Sequence, residues 1–406
     1  MLKPQRYNLI YYRLKLFRHF LRKDYIWLLM AEKLVVGIDI RDLKVAKTGA
    51  RTYLQELVNE FKRNNHGCEI KFLDSSFRVY TGRNKFFKLV EHIRFFYWKQ
   101  ISLPVKAYYN NCDILFCADY FVPYVHLGFK PIPIFHDAFF YEYPEQVNPI
   151  WLKMFYSLGV GAAKRAPYLV TISEYSRTRL AHFTGIDISK IIAIHNGPKH
   201  TIALTIDQKS TSSFRPPTAK YILHVGVLEK RKNLVRLVEV LKLLHSSGYT
   251  DYSLVIVGQA SSKDELDGST ELKAAIKREQ LDEFVMLYGY ANDNELPYFY
   301  KNASMYVFPS LNEGFGLPIL EAFYHQVPVL VANNTCLPEI GGNAVLSFDP
   351  FDSHDISEKV GMVIENPGLR KKLIENGNHR LKLFSWQKSA SELVKIFQLA
   401  ANKKKL

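Results

Sequence analysis

The chain has 406 residues, of which 48% are hydrophobic and 23% charged, as in an ordinary soluble protein of two domains. Its net charge of +15 favours an anionic partner such as nucleic acid, an acidic membrane face or a phosphate-bearing substrate, although solubility alone would also explain it. No apolar run reaches the roughly 18 residues that cross a membrane, and the N-terminus lacks a signal-peptide pattern, so we expect a cytoplasmic protein.

Residues 1–32 form a basic, aromatic N-terminal extension. Eight basic residues between positions 1 and 33 are interleaved with tyrosine, phenylalanine and tryptophan. This composition is typical of a segment that lies on anionic lipid, and equally of a surface helix docked on its own domain. A protein that is peripheral on the inner face of the plasma membrane is therefore one expectation for residues 1–33.

The cysteine pattern gives no sign of a metal site. The four cysteines are Cys68, Cys112, Cys117 and Cys336. They form no CxxC pair and have no histidines at zinc-finger spacing, so we interpret them as reduced, mostly buried thiols and predict no bound metal.

The folded pattern begins at residues 33–40, a β-branched apolar run typical of a buried parallel strand. A loop and an amphipathic helix at 51–65 follow, which opens a βαβ unit. Further strands are predicted within 112–119, 130–138, 167–173 and 191–197, with helices between them. This alternation predicts a doubly wound parallel sheet in an N-terminal Rossmann-like domain, residues 33–207.

Residues 208–220 are rich in serine, threonine and proline and are predicted to be a linker. A second Rossmann-like domain is predicted at 221–384, and a C-terminal helix with a basic tail at 385–406 packs back on the first domain. The predicted strands of this half lie within 221–228, 252–260, 283–290, 304–310 and 327–333. The predicted helices lie within 233–248, 270–281, 295–303, 318–326, 355–364 and 385–400. Ligands of facing α/β sheets bind at the carboxyl ends of the strands.

The stretch "FPSLNEGFGLPILEAFYHQVPVL", residues 308–330, is predicted to be a strand, a turn and a helix. Pro318 suits the first helical turn, and Gly314 and Gly316 let the backbone approach a ligand. The free N–H groups and the helix dipole would favour a phosphate there. Glu313 and Glu321 would face the same cleft, with Glu321 able to bind sugar hydroxyls. Alternatively, both acids simply stabilise the helix N-terminus.

Two other strand ends carry candidate residues. Gly226 closes a strand, and Arg231 and Lys232 precede a helix that Asn233 is predicted to cap. Two cations there would face a pyrophosphate, or form only a solvated basic turn. His136, followed by an aspartate, ends an N-terminal strand and could bind a sugar hydroxyl or move a proton, although such pairs are often structural.

Gly49 precedes the first helix and is a weaker phosphate-contact candidate. The chain has no GxGxxG followed by an acid about 20 residues later, so a nicotinamide cofactor is not indicated. It also lacks GxxxxGK[ST], the usual nucleotide-hydrolysing loop.

Six motifs, taken in their order along the chain, resemble those of retaining glycosyltransferases of family 4. They are "HDAFFYEYPE", "TISEYSR", "IIAIHNG", "HVGVLEKRKNL", "LYGYANDNELPYFYKNASMYVFPSLNEGFGLPILEA" and "FSWQKSASELV". The resemblance covers about residues 33–400 and is most like the bacterial mannosyltransferase-like branch. It implies the GT-B architecture, two facing Rossmann-like domains. It also implies a nucleotide-diphosphate sugar as co-substrate, with GDP-mannose the first candidate, and no metal or other cofactor.

The resemblance assigns roles to the candidate residues. Glu313 would lie by the donor sugar, Glu321 would bind the ribose, and Arg231 and Lys232 would neutralise the leaving diphosphate. His136 would lie near the donor sugar. Residues in donor-binding backbone or turn positions would be Gly314, Phe315, Gly316, Leu317, Gly49, Gly226, Tyr288, Gly289 and Tyr290. One departure is Val227, where some members have arginine, so phosphate neutralisation would rest more on the basic pair.

We therefore expect a retaining hexosyltransferase acting on a lipid-linked glycan of a bacterial surface polysaccharide. Breaking a sugar–phosphate bond leaves negative charge on the diphosphate and an oxocarbenium-like sugar, which cations and a nearby carboxylate stabilise. A GT-B sugar-nucleotide epimerase, a phosphorylase or an inactive scaffold are alternatives. A nucleic-acid-binding protein is disfavoured, because beyond residue 33 the basic residues are scattered rather than arranged in a stripe.

Overall fold

The computed structural model describes residues 33–46, 49–77, 79–80, 82, 84–199, 215–261 and 263–402. The predicted N-terminal extension and most of the predicted linker lie outside these residues. Within them, no helix combines the length and apolarity needed to cross a bilayer. The four cysteines are buried and unpaired, as the sequence predicted.

The N-terminal domain is built on parallel strands. A four-stranded sheet has the order β2-β1-β3-β4, and β5 pairs with β6 beside it. The strands are β1 (Val35–Asp39), β2 (Glu69–Leu73), β3 (Ile114–Cys117), β4 (Lys130–Pro133), β5 (Leu169–Thr171) and β6 (Ile191–Ala193). A parallel bridge between Ile134 and Val170 continues the sheet from β4 to β5. The direction of the strand order changes between β1 and β3, so their carboxyl ends border the crevice where such sheets bind ligands.

Helices cover this sheet. They are α1 (Gly49–Arg63), α2 (Lys85–Tyr97), α3 (Leu103–Tyr109), α4 (Phe139–Glu142), α5 (Pro149–Met154), α6 (Gly161–Arg165) and α7 (Glu174–Thr184). Short π-helical segments, Trp98–Ser102 and Phe155–Val160, join α2 to α3 and α5 to α6. The predicted amphipathic pattern of α1 is confirmed, because Leu54, Leu57 and Phe61 are buried against the sheet.

The C-terminal domain has one six-stranded parallel sheet in the order β12-β11-β10-β7-β8-β9. Its strands are β7 (Lys220–Val225), β8 (Tyr252–Val257), β9 (Val285–Gly289), β10 (Met305–Phe308), β11 (Val329–Ala332) and β12 (Val345–Phe348). Counted from β9, this is the 3-2-1-4-5-6 order of a dinucleotide-binding fold, with the switch point between β7 and β10. These strands are almost entirely apolar because helices cover both faces of a parallel sheet.

The helices of this half are α8 (Leu234–Ser246), α9 (Ser269–Arg278), α10 (Leu296–Asn302), α11 (Leu317–Tyr324), α12 (Leu337–Gly341), α13 (Ser353–Glu365), α14 (Pro367–Leu381) and α15 (Trp386–Asn402). The last of them returns to the N-terminal domain. Trp386 packs edge-on against Tyr53 of α1 at 5.6 Å, and Phe397 lies 5.6 Å from Phe116 of β3. One continuous apolar core therefore joins the two halves through α15.

The predicted strands and helices are confirmed as element types, and four elements were missed. β2 is short, contains Glu69 and Lys71, and is only partly buried at the sheet edge, so its apolar pattern is weak. α14 buries only Leu373 and Gly377, which gives it little amphipathic signal. The short β12 and α12 were also not predicted.

Candidate active site

Two loops at the switch point of the C-terminal sheet form the centre of the site. The loop after β7 contains a turn of 3-10 helix, Lys230–Lys232, and the loop after β10 runs through residues 309–316. The Leu311 amide donates to the Arg231 carbonyl at 2.8 Å, and the Arg231 guanidinium donates to the Asn312 carbonyl at 2.8 Å. These reciprocal bonds fasten the two loops together at the position where an open α/β sheet binds its ligand.

Asn233 begins α8 as predicted but does not cap it. It adopts a left-handed conformation with φ 57°, and its side chain accepts no hydrogen bond from the helix. The amide instead donates to the carbonyls of Pro309, at 3.2 Å, and Pro350, at 2.8 Å. The predicted cap is therefore wrong, because long-range carbonyls compete for the same side chain, and Asn233 becomes a further tie between the two loops.

Glu313 lies at the centre of a shielded charge cluster. Its Oε1 is 2.5 Å from Lys232 Nζ and 3.2 Å from Arg231 Nη1. Arg231 also donates to Glu229 at 2.8 Å, so two acids balance the two cations. The Lys232 and Glu313 side chains are only 10% and 11% exposed, so solvent screens their attraction little. The structure thus brings together three of the residues that the sequence predicted.

The close contacts within the cluster change the pKa values of Glu313 and Lys232. Burial alone would raise the pKa of Glu313, but Lys232 and Arg231 outweigh it and hold this pKa at about 2. The pKa of Lys232 is not raised in return, because Lys232 is buried and shares the Glu313 carboxylate with a second cation, Arg231. Burial, with the neighbouring Arg231, lowers the pKa of Lys232. At neutral pH Glu313 is therefore a carboxylate held between two cations.

The N-terminal domain closes against the loop that carries Glu313. Ser173 Oγ donates to the Gly314 carbonyl at 2.8 Å. A Cβ atom added at Gly314 would lie 2.8 Å from the His136 carbonyl oxygen, closer than real side chains allow. Only glycine fits this approach, so the Glu313 loop lies at the junction of the two domains.

His136 is positioned on the N-terminal side of this junction. Its ring packs edge-on against Tyr53 at 5.2 Å, and its Nε2 has no hydrogen-bond partner among the described residues. Burial lowers the pKa of His136 to about 4, against a hydrogen bond to the Ala118 backbone that acts to raise it. The imidazole is therefore neutral at physiological pH, with one ring nitrogen left for a ligand.

Comparison with known proteins shows which proteins the chain resembles. Residues 205–380 match the family model described as "Glycosyl transferases group 1". Residues 205–380 therefore resemble the group 1 glycosyl transferases. The chain is 26% identical over 381 residues to the Escherichia coli "O-antigen chain mannosyltransferase B", covering 91% of this chain and 94% of that protein. It is 27% identical over 244 residues to the E. coli "Serotype-specific mannosyltransferase WbdA", covering 58% of this chain and 29% of that protein.

The fold of this glycosyltransferase is GT-B. Sucrose-phosphate synthase from Thermosynechococcus elongatus superposes with a TM-score of 0.71 at 14% identity, over 91% of this chain and 99% of that structure. The predicted architecture, two facing doubly wound domains, is confirmed. The predicted resemblance to the mannosyltransferase-like branch also agrees with the curated relatives.

The second acid of the transferase, Glu321, occupies a separate pocket. It is buried in α11, and its Oε2 accepts a hydrogen bond from the Tyr300 hydroxyl at 2.9 Å. Lys199 and Asp293 form an ion pair at the mouth of the same pocket. Burial raises the pKa of Glu321, although Tyr300 and Lys199 act in the opposite direction. The protein thus gives the charged form of this carboxyl group little stabilisation. This is expected of a group that accepts hydrogen bonds from ligand hydroxyls.

The turn between the two acids has the predicted form. Gly316 adopts φ +96° immediately before α11, and Leu317 and Pro318 are the first two helical residues. Phe315 is buried next to His195 and Phe384, each about 6.0 Å from it. The turn therefore presents its backbone rather than its side chains to the cleft.

The other predicted site residues lie at or next to the ends of helices and strands. Gly49 begins α1, and a Cβ atom there would meet no described atom within 4 Å. Tyr288 packs on Phe299, Gly289 ends the edge strand β9, and Tyr290 is 70% exposed. Gly226 is adjacent to the cluster, since a Cβ atom there would lie 3.6 Å from Lys232 Cε.

Two contacts of the transferase were not predicted. Glu339 reaches from α12 to the N-terminus of α7, where its two carboxylate oxygens accept from the amides of Glu174, at 2.8 Å, and Tyr175, at 2.9 Å. His195 Nε2 lies 2.7 Å from the same carboxylate. Because α7 follows directly from Ser173, this contact also fixes the serine that holds Gly314. A carboxylate at a helix N-terminus is favourable, but its partner is 165 residues away in sequence, so no local pattern shows it.

A buried cation also occupies the switch point of the N-terminal sheet. Lys99 Nζ lies 2.6 Å from both Asp39, at the end of β1, and Asp119, beyond the end of β3. Asp39, Cys117 and Asp119 could by spacing hold a metal ion, but the Lys99 ammonium already lies between the two carboxylates. Burial raises the pKa of Asp119 to about 7 despite the attraction of Lys99.

Proposed function

We propose that this glycosyltransferase moves a sugar from a nucleotide-diphosphate sugar to a lipid-linked glycan with retention of anomeric configuration. GDP-mannose is the first donor candidate, and a bacterial surface polysaccharide such as O-antigen is the product class. The observation that carries the proposal is the Glu313 cluster, in which Lys232 and Arg231 converge at the switch point.

The chemistry follows from where charge develops. The bond between the anomeric carbon and the β-phosphate oxygen breaks, and its electron pair stays on the diphosphate. Arg231 and Lys232 stabilise that negative charge without a metal ion, since their positions are fixed before reaction. Glu313, a carboxylate at neutral pH, stabilises positive charge at the anomeric carbon.

The acceptor oxygen attacks the same face of the sugar, and its proton passes to the departing phosphate oxygen. The products are therefore the glycoside and the nucleoside diphosphate. His136, neutral and with a free ring nitrogen, binds a hydroxyl of the donor sugar. Glu321 accepts hydrogen bonds from the ribose hydroxyls in its own pocket.

The names of the relatives support mannose and a surface polysaccharide. The match to the E. coli O-antigen mannosyltransferase covers 94% of the length of that protein. A lipid-linked acceptor would require the enzyme to work at a membrane surface, which the net charge of +15 favours. We propose that the extension at residues 1–33 helps to hold the enzyme on the inner face of the plasma membrane.

A donor screen followed by product analysis tests the proposal. Thermal unfolding is measured with GDP-, UDP- and ADP-sugars, and a donor at 100 times its dissociation constant should stabilise the protein by about 2.7 kcal/mol. The best donor is then incubated with a glycan acceptor, and NMR compares the anomeric configuration of product and donor. Inversion would refute the mechanism. Interconversion of donor sugars without acceptor would identify an epimerase, and a requirement for free phosphate would identify a phosphorylase.

A further inference from the structure

An exposed apolar stripe runs along the outside of the N-terminal domain. We define the outer helix face as Phe86, Leu89, Ile93, Tyr97, Ile101 and Tyr108. These residues are spaced by three, four or seven positions along α2, the π-helical segment and α3, so they lie on one side of a nearly continuous helix. All six are exposed, with Phe86 at 67% and Ile93 at 62%. An apolar stripe of this length is unusual on a soluble domain and marks an interaction surface.

The opposite side of the same helix is attached to the switch point of the N-terminal sheet, at the carboxyl ends of β1 and β3. Glu91 forms an ion pair with Arg41, which follows β1. Trp98 Nε1 donates to the Asp39 carboxylate at 3.2 Å, and Lys99 joins Asp39 to Asp119. The helix therefore lies over the carboxyl ends of β1 and β3, with Glu91, Trp98 and Lys99 facing inward and the outer helix face turned away from the sheet.

The apolar surface continues beyond the helix. The Gln100 side chain accepts from the Tyr124 amide at 2.8 Å and donates to the Val122 carbonyl at 3.3 Å. This holds the following loop beside the helix, where Tyr124 and Val125 are also exposed. The surface is therefore broader than a single helix stripe, as a flat partner would require.

The charges beside the outer helix face indicate which kind of partner would bind there. Lys88 and Arg94 of α2 are exposed, whereas Glu91, the one acid of α2, is turned inward to Arg41. Two copies of this face brought together would place cations against cations with no acid to pair them. An anionic lipid surface complements both the apolar stripe and the adjacent cations.

We propose that the outer helix face docks on an anionic lipid membrane. Docking places the carboxyl ends of β1 and β3 beside the lipid, where a lipid-borne acceptor would enter the cleft. The inference deepens the proposed function and rests on it for the nature of the acceptor. It assigns membrane contact to a surface of the folded domain, independently of residues 1–33.

The test compares vesicle binding of the full chain and two double variants. Phe86→Ser/Ile93→Ser removes two side chains of the outer helix face. The control, Phe351→Ser/Met362→Ser, removes exposed apolar side chains of the C-terminal domain, where Phe351 is also 67% exposed. Flotation uses vesicles of phosphatidylcholine with phosphatidylglycerol and of phosphatidylcholine alone. Each protein is also assayed for transfer to a water-soluble acceptor and for oligomeric state by light scattering.

We expect the wild type and the control to bind the anionic vesicles and the Phe86/Ile93 variant to bind about tenfold or more weakly. Its transfer to the soluble acceptor should be unchanged. Equal vesicle binding by all three proteins would overturn the inference, as would a wild-type dimer that this variant alone dissociates. If wild type shows no transfer from GDP-mannose yet vesicle binding follows the expected pattern, the docking face stands and the proposed donor is wrong.

Discussion

Replacing Lys232 by methionine tests the buried charge cluster most directly. The change keeps most of the unbranched side chain and removes the charged Nζ, leaving Glu313 with Arg231 alone. In the native protein, the pKa of Glu313 falls from an ordinary value of 4.5 to about 2. A shift of this size corresponds to about 3 kcal/mol, and breaking a buried ion pair costs a comparable amount. For a domain of this size, that lowers the melting temperature by roughly 5–10 °C.

The pH dependence has a defined sign. A carboxyl group whose pKa is depressed by folding contributes stability above its unfolded-state pKa, and loses it as pH falls through the folded-state value. The difference between wild type and Lys232→Met should therefore be the same at pH 7 and at about pH 5, narrow as the pH falls below 4.5, and disappear near about pH 2. Differential scanning calorimetry at several pH values measures this directly.

A matched control separates burial from charge. Lys220 also forms a lysine–carboxylate contact, 2.6 Å from Asp251, but both side chains are more than half exposed. Lys220→Met should leave the melting temperature unchanged within error. The double variant Lys232→Met/Glu313→Gln should recover part of the stability, because no uncompensated carboxylate then remains. If Lys232→Met behaves like Lys220→Met, the account of the cluster is wrong.

Three further outcomes are expected. Tyr300→Phe should raise the KM for the donor by about tenfold with little change in kcat, because it removes the hydrogen bond that orients Glu321; a pure kcat effect would contradict this role. His136 should remain neutral down to about pH 5, so ¹⁵N NMR should find no titration of its ring near pH 6.5, given its lowered pKa of about 4. Glu339→Gln should loosen the contact between the domains and increase the radius of gyration in small-angle scattering, whereas Glu174→Gln, an exposed change at the same helix start, should not. Identical scattering curves for the two variants would rule out the Glu339 contact as a domain tie.

The sequence predicted the parts of the site that are local in the chain. β10, a turn and α11 follow one another within residues 305–324, and the strand pattern and Pro318 place each of them. The approach of Lys232 to Glu313 spans 81 residues, but both follow neighbouring strands of a parallel sheet. Strand alternation therefore sufficed to predict that their loops share one edge.

Contacts between domains could not be predicted in the same way. Ser173 and Gly314 are 141 residues apart, in different sheets, and their meeting depends on how the two domains face each other. Asn233 shows a related failure within one domain, because an asparagine before a helix normally caps it. Here two proline carbonyls from distant loops accept its donor groups, and no property of its neighbours in sequence reveals them.

The bonds around Glu313 divide into two groups with different consequences. Those to Lys232 and Arg231 lie within the C-terminal domain and survive any separation of the two domains. Those from Ser173 to Gly314, and from α7 to Glu339, join the two domains and would break if the domains separated. The charge cluster that we propose to stabilise a leaving diphosphate is thus formed within one domain, whereas the backbone position of the loop depends on contacts from both domains. Because electrostatic stabilisation depends on fixed geometry, we expect donor binding to need the C-terminal domain and turnover to need both domains.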